Sequence, residues 1–337
     1  MKVLHVVAGM DPKTGGVAQA VKSMIEGLKG SGIQNEVISM DHPGEKFVEE
    51  NGFTIHALGP AKTAWRYSSS LLPWLKKSIG SYDAVIIHGL WQYHCYAVLK
   101  ALRQQKKQRP KLFVMPHGML DPYFQKARDR RLKAMRNQLF WQFIERHVIG
   151  EADCLLFTCE MEKNLAAQSF SNYLPKSEEV VGLGLPVPPS FTSPMHDAFK
   201  EKCLGRDVEN CLLFISRINS KKGVDLLVAA YNKYEEQHGN LPKLIIAGPD
   251  LESPFGKEVQ ELANRNKNII FTGMLDGEAK WGAFYSCSAM ILPSHQENFG
   301  FVVVEALACG KPVLISNQVN IWKEVEAQQA GLISRCS

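Results

Sequence analysis

A chain of 337 residues is long enough for two domains of ordinary size, and 45% hydrophobic with 22% charged residues excludes the disordered, collagenous and fibrous classes. A net charge of +5 is too slight to argue for a nucleic-acid binder, and no helix-turn-helix, zinc-finger or RNP pattern accompanies it, so no nucleic acid is expected as a partner. No run approaches the ~18–20 apolar residues of a membrane span, and Val3–Ala8 is too short for a signal-peptide core.

The expectation is therefore a cytoplasmic protein, at most peripheral to the inner face of a membrane. Eight cysteines show no C-x-x-C and no ligand spacing with histidine. Most sit in apolar runs, which reads as buried, reduced thiols and no metal site. The charge is uneven: residues 1–190 hold 24 Lys+Arg against 17 Asp+Glu.

Lys2–Ala8 reads as an apolar strand, Gly9–Val17 as a glycine-containing loop and Ala18–Leu28 as a helix with Val21, Met24, Ile25 and Leu28 on one face. The Gly15-Gly16 turn before that helix is either a phosphate-friendly nest or simply a tight turn. Further strands are predicted at Glu36–Ser39, Thr54–Leu58, Ala84–His88, Lys111–Met115 and Cys154–Thr158, with helical stretches between, the pattern of a parallel sheet. Two of these strands run into His-Gly, at His88-Gly89 and His117-Gly118. Strand carboxyl ends are where such sheets bind ligands, so both histidines are candidates, His117 ahead of His88.

A basic region follows: Arg103, Lys106, Lys107, Arg109 and Lys111, then Lys126, Arg128, Arg130, Arg131, Lys133 and Arg136. Leu132, Met135, Leu139, Phe140 and Phe143 follow or interleave at helical spacing, so Phe124–Val148 reads as one amphipathic helix with a cationic start. Its charged face is either solvated or a peripheral contact with anionic membrane through residues 103–136. Gly182–Pro194, rich in proline and without periodicity, reads as a linker. It divides a domain at 1–185 from one at 201–337, with 186–200 between.

The second half restarts the pattern with a strand at Cys211–Ile215, the loop Ser216–Gly223 and a helix at Val224–Tyr234. Arg217 and Lys222, at a strand end before a helix start, form an anion site of two charges, amides and a dipole. Strands at Lys243–Gly248 and Ile269–Gly273 precede the segment ILPSHQENFGFVVVEALACGKPV at 291–313, itself strand, loop, helix, glycine stop and strand. Glu297 in its loop and Glu305 on its helix lie just over two helical turns apart, and both can face one ligand if the helix starts near Phe299. Gly300 lets a backbone come close, and unpaired amides at the helix start favour a negative group.

Glu297-Asn298-Phe299-Gly300, Glu305-Ala306 and Gly310-Lys311-Pro312-Val313 resemble the E-x7-E element of retaining glycosyltransferases of family 4, the glycosyl transferases group 1. Ser216–Gly223 resembles that family's G-R-x4-K-G element, with Ser216 in place of the first glycine. The resemblance implies an α/β, GT-B architecture: two Rossmann-like doubly wound parallel-sheet domains facing across a cleft, acceptor side first and donor side second. It implies a metal-independent hexosyltransferase that moves a sugar from a nucleotide-sugar donor to a glycan or lipid-linked acceptor with retention, in bacterial polysaccharide or lipopolysaccharide synthesis. Beyond the nucleotide-sugar co-substrate it implies no cofactor.

By the same resemblance Glu305 holds the ribose hydroxyls, and Arg217 and Lys222 neutralise the pyrophosphate. Glu297 with the Asn298, Phe299 and Gly300 amides contacts donor sugar and phosphate, His117 contacts the sugar, and Gly15 and Gly16 lie near phosphate or acceptor. Gly273, and less so Gly248, lie near the nucleotide. Relatives continue past the strand that Ala330–Ile333 resembles, so the donor domain is expected to be incomplete at its C-terminus and the chain poorly soluble or slow. Two other readings stay open: epimerase or phosphorylase chemistry on the same fold, and an inactive, truncated transferase that only binds nucleotide.

Overall fold

The computed structural model describes residues 1–12, 15–49, 52–105, 108–126, 131–264 and 266–335. Two compact units emerge, Met1–Pro186 and Val187–Ser337. The first is built on a seven-stranded sheet of β1 (Lys2–Val7), β2 (Gln34–Ser39), β3 (Thr54–Ala57), β4 (Ala84–His88), β5 (Lys111–Met115), β6 (Cys154–Phe157) and β7 (Glu178–Val180), in the order β3-β2-β1-β4-β5-β6-β7. The second has six strands, β8 (Cys211–Ile215), β9 (Leu244–Ala247), β10 (Ile269–Gly273), β11 (Cys287–Leu292), β12 (Val313–Ser316) and β13 (Gly331–Ser334), in the order β10-β9-β8-β11-β12-β13. All pairings are parallel.

Both sheets are doubly wound, as the alternating pattern predicts. Strands covered on both faces read as continuous apolar runs, and AVIIH, CLLFI and LIIA are buried along most or all of their length. One face of the first sheet (Leu4, Val6, Ile38, Val85, Ile87, Leu112, Val114) packs in a large core with Leu71, Leu75, Val98 and Leu102. The other carries Val7 and Val37, covered by Val21 and Ile25 of helix Gly16–Gly27. In each sheet the winding reverses once, between β1 and β4 and between β8 and β11, and a doubly wound sheet opens its crevice at such a reversal.

Three elements depart from the sequence-based expectation. Glu178–Val180 is a strand, hidden in the sequence because two of its three residues are glutamates; charge belongs on an edge strand, and β7 is the edge. Residues 186–200 were expected to be linker, yet Ser193–Lys202 is a helix. Pro194 sits in its first turn, where a missing N–H costs nothing, and Met195 and Phe199 are buried in its packing against helix Gly277–Ser286.

The single helix expected over Phe124–Val148 is instead Tyr123–Lys126, then Arg131–Phe140, a wide π-type turn at Trp141–Glu145, and Arg146–Glu151. Its inward side carries Asn137, Trp141 and Glu145, whereas Leu132, Met135, Leu139 and Phe143 are 83, 68, 61 and 72% exposed. Lys106, Lys107, Arg128 and Arg130 of the basic region and Cys336 lie outside the described residues; the other seven cysteines are buried and free.

Candidate functional site

At the β8/β11 reversal, Ser216–Gly223 and Pro293–Gly300 lie side by side. The first closes in a short 3-10 turn, Ser220–Lys222, whose Lys221 amide is capped by Asn219 Oδ1 at 3.0 Å. Gly223 follows with φ 65°, and a Cβ there would stand 2.2 Å from the Pro293 carbonyl oxygen, so only glycine allows the loops to touch. The His295 amide donates to the Lys221 carbonyl at 2.8 Å. Gly248, at the end of β9, approaches as closely: its Cβ would meet the Ser216 carbonyl oxygen at 1.8 Å. A third segment completes the frame, with the Glu297 amide donating to the Gln318 carbonyl and the Asn320 amide to the Glu297 carbonyl, both at 2.9 Å.

On this frame the Lys222 ammonium pairs with Glu297 Oε2, both side chains largely buried. Asn320 Nδ2 reaches Asn298 Oδ1 at 3.3 Å, and the rings of Phe299 and Phe301 meet edge to face at 5.5 Å. Gly300, with φ 73°, caps helix Phe301–Ala308, which starts two residues later than Phe299. Glu305 on that helix takes a hydrogen bond on Oε1 from Lys280 Nζ at 2.6 Å, while its Oε2 is buried with no hydrogen-bond partner among the described residues. Leaving a buried carboxylate oxygen unpaired costs about 1–3 kcal/mol, an expense characteristic of sites that await a donor. Arg217 is exposed at the end of β8, and Gly273, with φ 69°, ends β10 with open space around its Cα.

Glu297, Lys222, Asn298, Phe299 and Gly300 therefore sit together on adjoining loops, with Glu305 one helix further. Lys280 is the residue the sequence did not yield: it stands alone in GEAKWGAF, and only the fold puts it on Glu305.

At the β1/β4 reversal the buried polar groups include a line of neutral histidine rings. Gly15, with φ 113°, precedes helix Gly16–Gly27, and lines a cavity of about 300 Å³ with Val7, Gly9, Arg66, His88 and Met119. His117, just past β5, holds φ 52°, a left-handed conformation unusual for a residue with a side chain. Its Nε2 lies 3.0 Å from His88 Nδ1, and His88 Nε2 lies 3.0 Å from His5 Nδ1 in the middle of β1. Burial pushes His117 and His5 down to about 4 and His88 well below its ordinary value, so all three rings are neutral at neutral pH. The turn after His117 is pinned by the buried Glu162, whose carboxylate accepts from the Gly118 amide and, at 2.7 and 2.6 Å, from the amide and hydroxyl of Thr158. Sequence reading missed His5, Glu162 and Asn35 because each looks like an ordinary strand or helix residue until its partner is known. Among the described residues no group of three or more His, Cys, Asp or Glu is placed to hold a metal ion.

Residues 15–184 match the glycosyl transferase 4-like domain and residues 196–336 the glycosyl transferases group 1. An O-antigen chain mannosyltransferase C of Escherichia coli is 22% identical over 320 residues, which is 93% of this chain and 79% of that one. An uncharacterized glycosyltransferase of Methanocaldococcus jannaschii is 30% identical over 128 residues, 38% of this chain; the match spans only 32% of that protein's length. HepE of Anabaena, crystallised with UDP and glucose, has a TM-score of 0.75 and 18% identity, covering 99% of this chain and 86% of its own. At that identity the likeness is one of fold, that of the GT-B glycosyltransferases.

Proposed function

This chain belongs to the glycosyl transferase 4-like family, with a group 1 domain in its second unit, and from that premise we propose that it transfers a hexosyl group from a nucleotide-sugar donor to a glycan or lipid-linked acceptor, with retention at the anomeric carbon. The observation that carries the reading is Glu305: a carboxylate anchored by Lys280 on one oxygen, its other oxygen buried and open, beside two loops locked together at a sheet reversal. A ribose diol supplies the hydroxyl donors such an oxygen lacks.

Arg217 and Lys222 then take the diphosphate, and the Asn298–Gly300 amides at the start of helix Phe301–Ala308 add to the same field. Departure of a nucleoside diphosphate builds negative charge on a phosphate oxygen, and preorganised cations and amides lower that barrier without a metal or other cofactor. Glu297 holds the Lys222 ammonium in place until the diphosphate displaces it, and is then free to meet the donor sugar. Gly273 lies by the nucleotide. His117 meets a sugar hydroxyl, and Gly15 and Gly16 serve the acceptor or phosphate. The O-antigen assignment of the Escherichia coli relative favours polysaccharide or lipopolysaccharide synthesis. Peripheral contact with anionic membrane through the basic region belongs to the same reading, supported by the exposed Leu132, Met135, Leu139 and Phe143 beside Arg131, Lys133 and Arg136.

Melting the protein against UDP-glucose, UDP-galactose, GDP-mannose, UDP and GDP tests the donor assignment. A ligand at 100 times its dissociation constant adds about 2.7 kcal/mol of stability, and that gain is expected for at least one sugar nucleotide and to fall by about half in Glu305→Ala at the same ligand concentration. No shift with any nucleotide overturns the reading.

A further inference from the structure

The three histidines form a chain whose direction is decided at its far end. His5, His88 and Asn35 lie on one face of the first sheet: His5 and Val7 share a face of β1, Val7 pairs with His88, and Asn35 lies two residues before the partner of His5 on β2. His117, two residues past Met115 at the end of β5, continues the diagonal. Beyond His5 the chain runs from its Nε2 to Asn35 Oδ1 at 3.0 Å and stops there. Asn35 Nδ2 faces the Ile33 carbonyl, at 3.3 Å, and a carbonyl only accepts. Turning the amide over would set two oxygens against each other, so Asn35 presents its oxygen to His5, and His5 Nε2 carries a hydrogen.

A neutral ring carries one N–H. With that hydrogen on Nε2, His5 Nδ1 accepts, so His88 Nε2–H donates; His88 Nδ1 then accepts, so His117 Nε2–H donates. Each bond has one possible polarity, and the last ring is left with a bare Nδ1, for which no described residue supplies a hydrogen bond. His94 does not disturb the order, because its Nε2 bonds the His88 carbonyl at 3.1 Å and not the ring.

We propose that Asn35, His5 and His88 are positioning residues that hold His117 as a single Nε2–H tautomer, so that it offers a substrate a lone pair at Nδ1 and recognises a hydroxyl rather than an anion. The amide oxygen of Asn35 cannot take up a proton, so the chain orients His117 and conducts nothing away. This rests on the reading of His117 as a substrate contact. The depressed affinity of all three rings for protons keeps the arrangement intact at physiological pH.

Long-range nitrogen–proton NMR of the full chain, with the His117 ring assigned by its loss in His117→Gln, reads the tautomer directly. Expected between pH ~5 and ~8 is a protonated Nε2 and an unprotonated Nδ1 on His117. Asn35→Leu leaves the His5 N–H facing an apolar group, so the chain reverses and His117 Nδ1 moves to the protonated position, while Asn35→Asp, which loses the bond to the Ile33 carbonyl but still offers His5 an acceptor, preserves the wild-type tautomer. A protonated Nδ1 or a charged His117 in the wild type overturns the relay, as does a tautomer that neither Asn35→Leu nor His5→Leu moves. With the sugar nucleotide that raises the melt most, Asn35→Leu is expected to lower kcat/KM about fivefold, the worth of one neutral hydrogen bond, and Asn35→Asp to leave it near wild type. A reversed tautomer with unchanged kcat/KM overturns the hydroxyl-accepting role. Because the tautomer is read without ligand, failure of the donor assignment is distinguishable from failure of the relay.

Discussion

The two sheet reversals share one topology and carry opposite chemistry. At β8/β11 the functional groups are ions, Lys222 with Glu297 across loops that glycine allows to touch, and Lys280 with Glu305 between helices Gly277–Ser286 and Phe301–Ala308. At β1/β4 they are neutral rings hydrogen-bonded in a line, two of them wholly buried. An ion pair suits a charged ligand, because its partner can be exchanged for a phosphate at little net cost in desolvation. A neutral chain gives direction to single hydrogen bonds and serves hydroxyl recognition. What a doubly wound sheet binds is therefore set by the residues at its reversal, not by the reversal.

Acid is the strongest way to separate the two. His5, His94 and His117 are held at about 4 by burial and His88 lower still, against 6.5 in the unfolded chain, so between those values the unfolded state binds four more protons here. Glu145, pushed by burial up to about 8, is already protonated in the folded state and offsets one of them. The unfolded state thus binds more protons on balance, and stability of the first unit falls as pH drops from 6.5 towards 4, by about 1.4 kcal/mol per pH unit for each net proton. Melts of the chain from neutral to acid pH are expected to show one early transition, which His88→Phe shifts to lower pH; two transitions moving together break the contrast.

Next in size is Gly223→Ala, which sets a methyl 2.2 Å from the Pro293 oxygen at a positive φ. A loss of about 3 kcal/mol is expected in the second unit alone, read as a separate melting step or by hydrogen exchange on β8 and β11. Smaller again is Glu305→Ala, expected to weaken nucleoside-diphosphate binding about tenfold in calorimetry, whereas Glu297→Ala spares that affinity and depresses turnover. Equal, negligible effects of both on binding and rate would remove the second reversal from the donor assignment. Smallest is Lys133→Gln, worth about 1 kcal/mol in sedimentation with anionic vesicles and nothing with neutral ones.

All the strands but β7 were legible because strands covered on two faces must be apolar, and the loops at their ends because ligand loops carry glycine and charge; the strand order, and with it the place of each reversal, was not. Arg217, Lys222, Glu297 and Glu305 were legible as a pattern, but the pairing of Lys222 with Glu297 was not, since 75 residues separate them. His5 was invisible for a related reason: inside KVLHVV it is one polar letter in an apolar run, and only the register with β4 puts it beside His88. Pro194 misled because the residue that breaks a helix is the one that best begins it. Leu132, Met135, Leu139 and Phe143 give the helical period but not the side that faces the core, and here the buried positions are Asn137, Trp141 and Glu145.

The wide turn at Trp141–Glu145 keeps phase. In an ordinary α-helix every fourth residue runs ahead by about 40°, so three such steps wind about a third of the way around the axis. Here Asn137, Trp141, Glu145 and Ile149 are all buried and Met135, Leu139, Phe143 and His147 are all exposed, a repeat of four held over three steps. One loosened turn lets the helix absorb the drift that would otherwise accumulate. Its outer row consequently runs straight rather than spiralling, so it can lie along a plane without lifting at either end. Deleting a single residue between Trp141 and Glu145 would restore the spiral and cost the row its flatness, with no change in its composition.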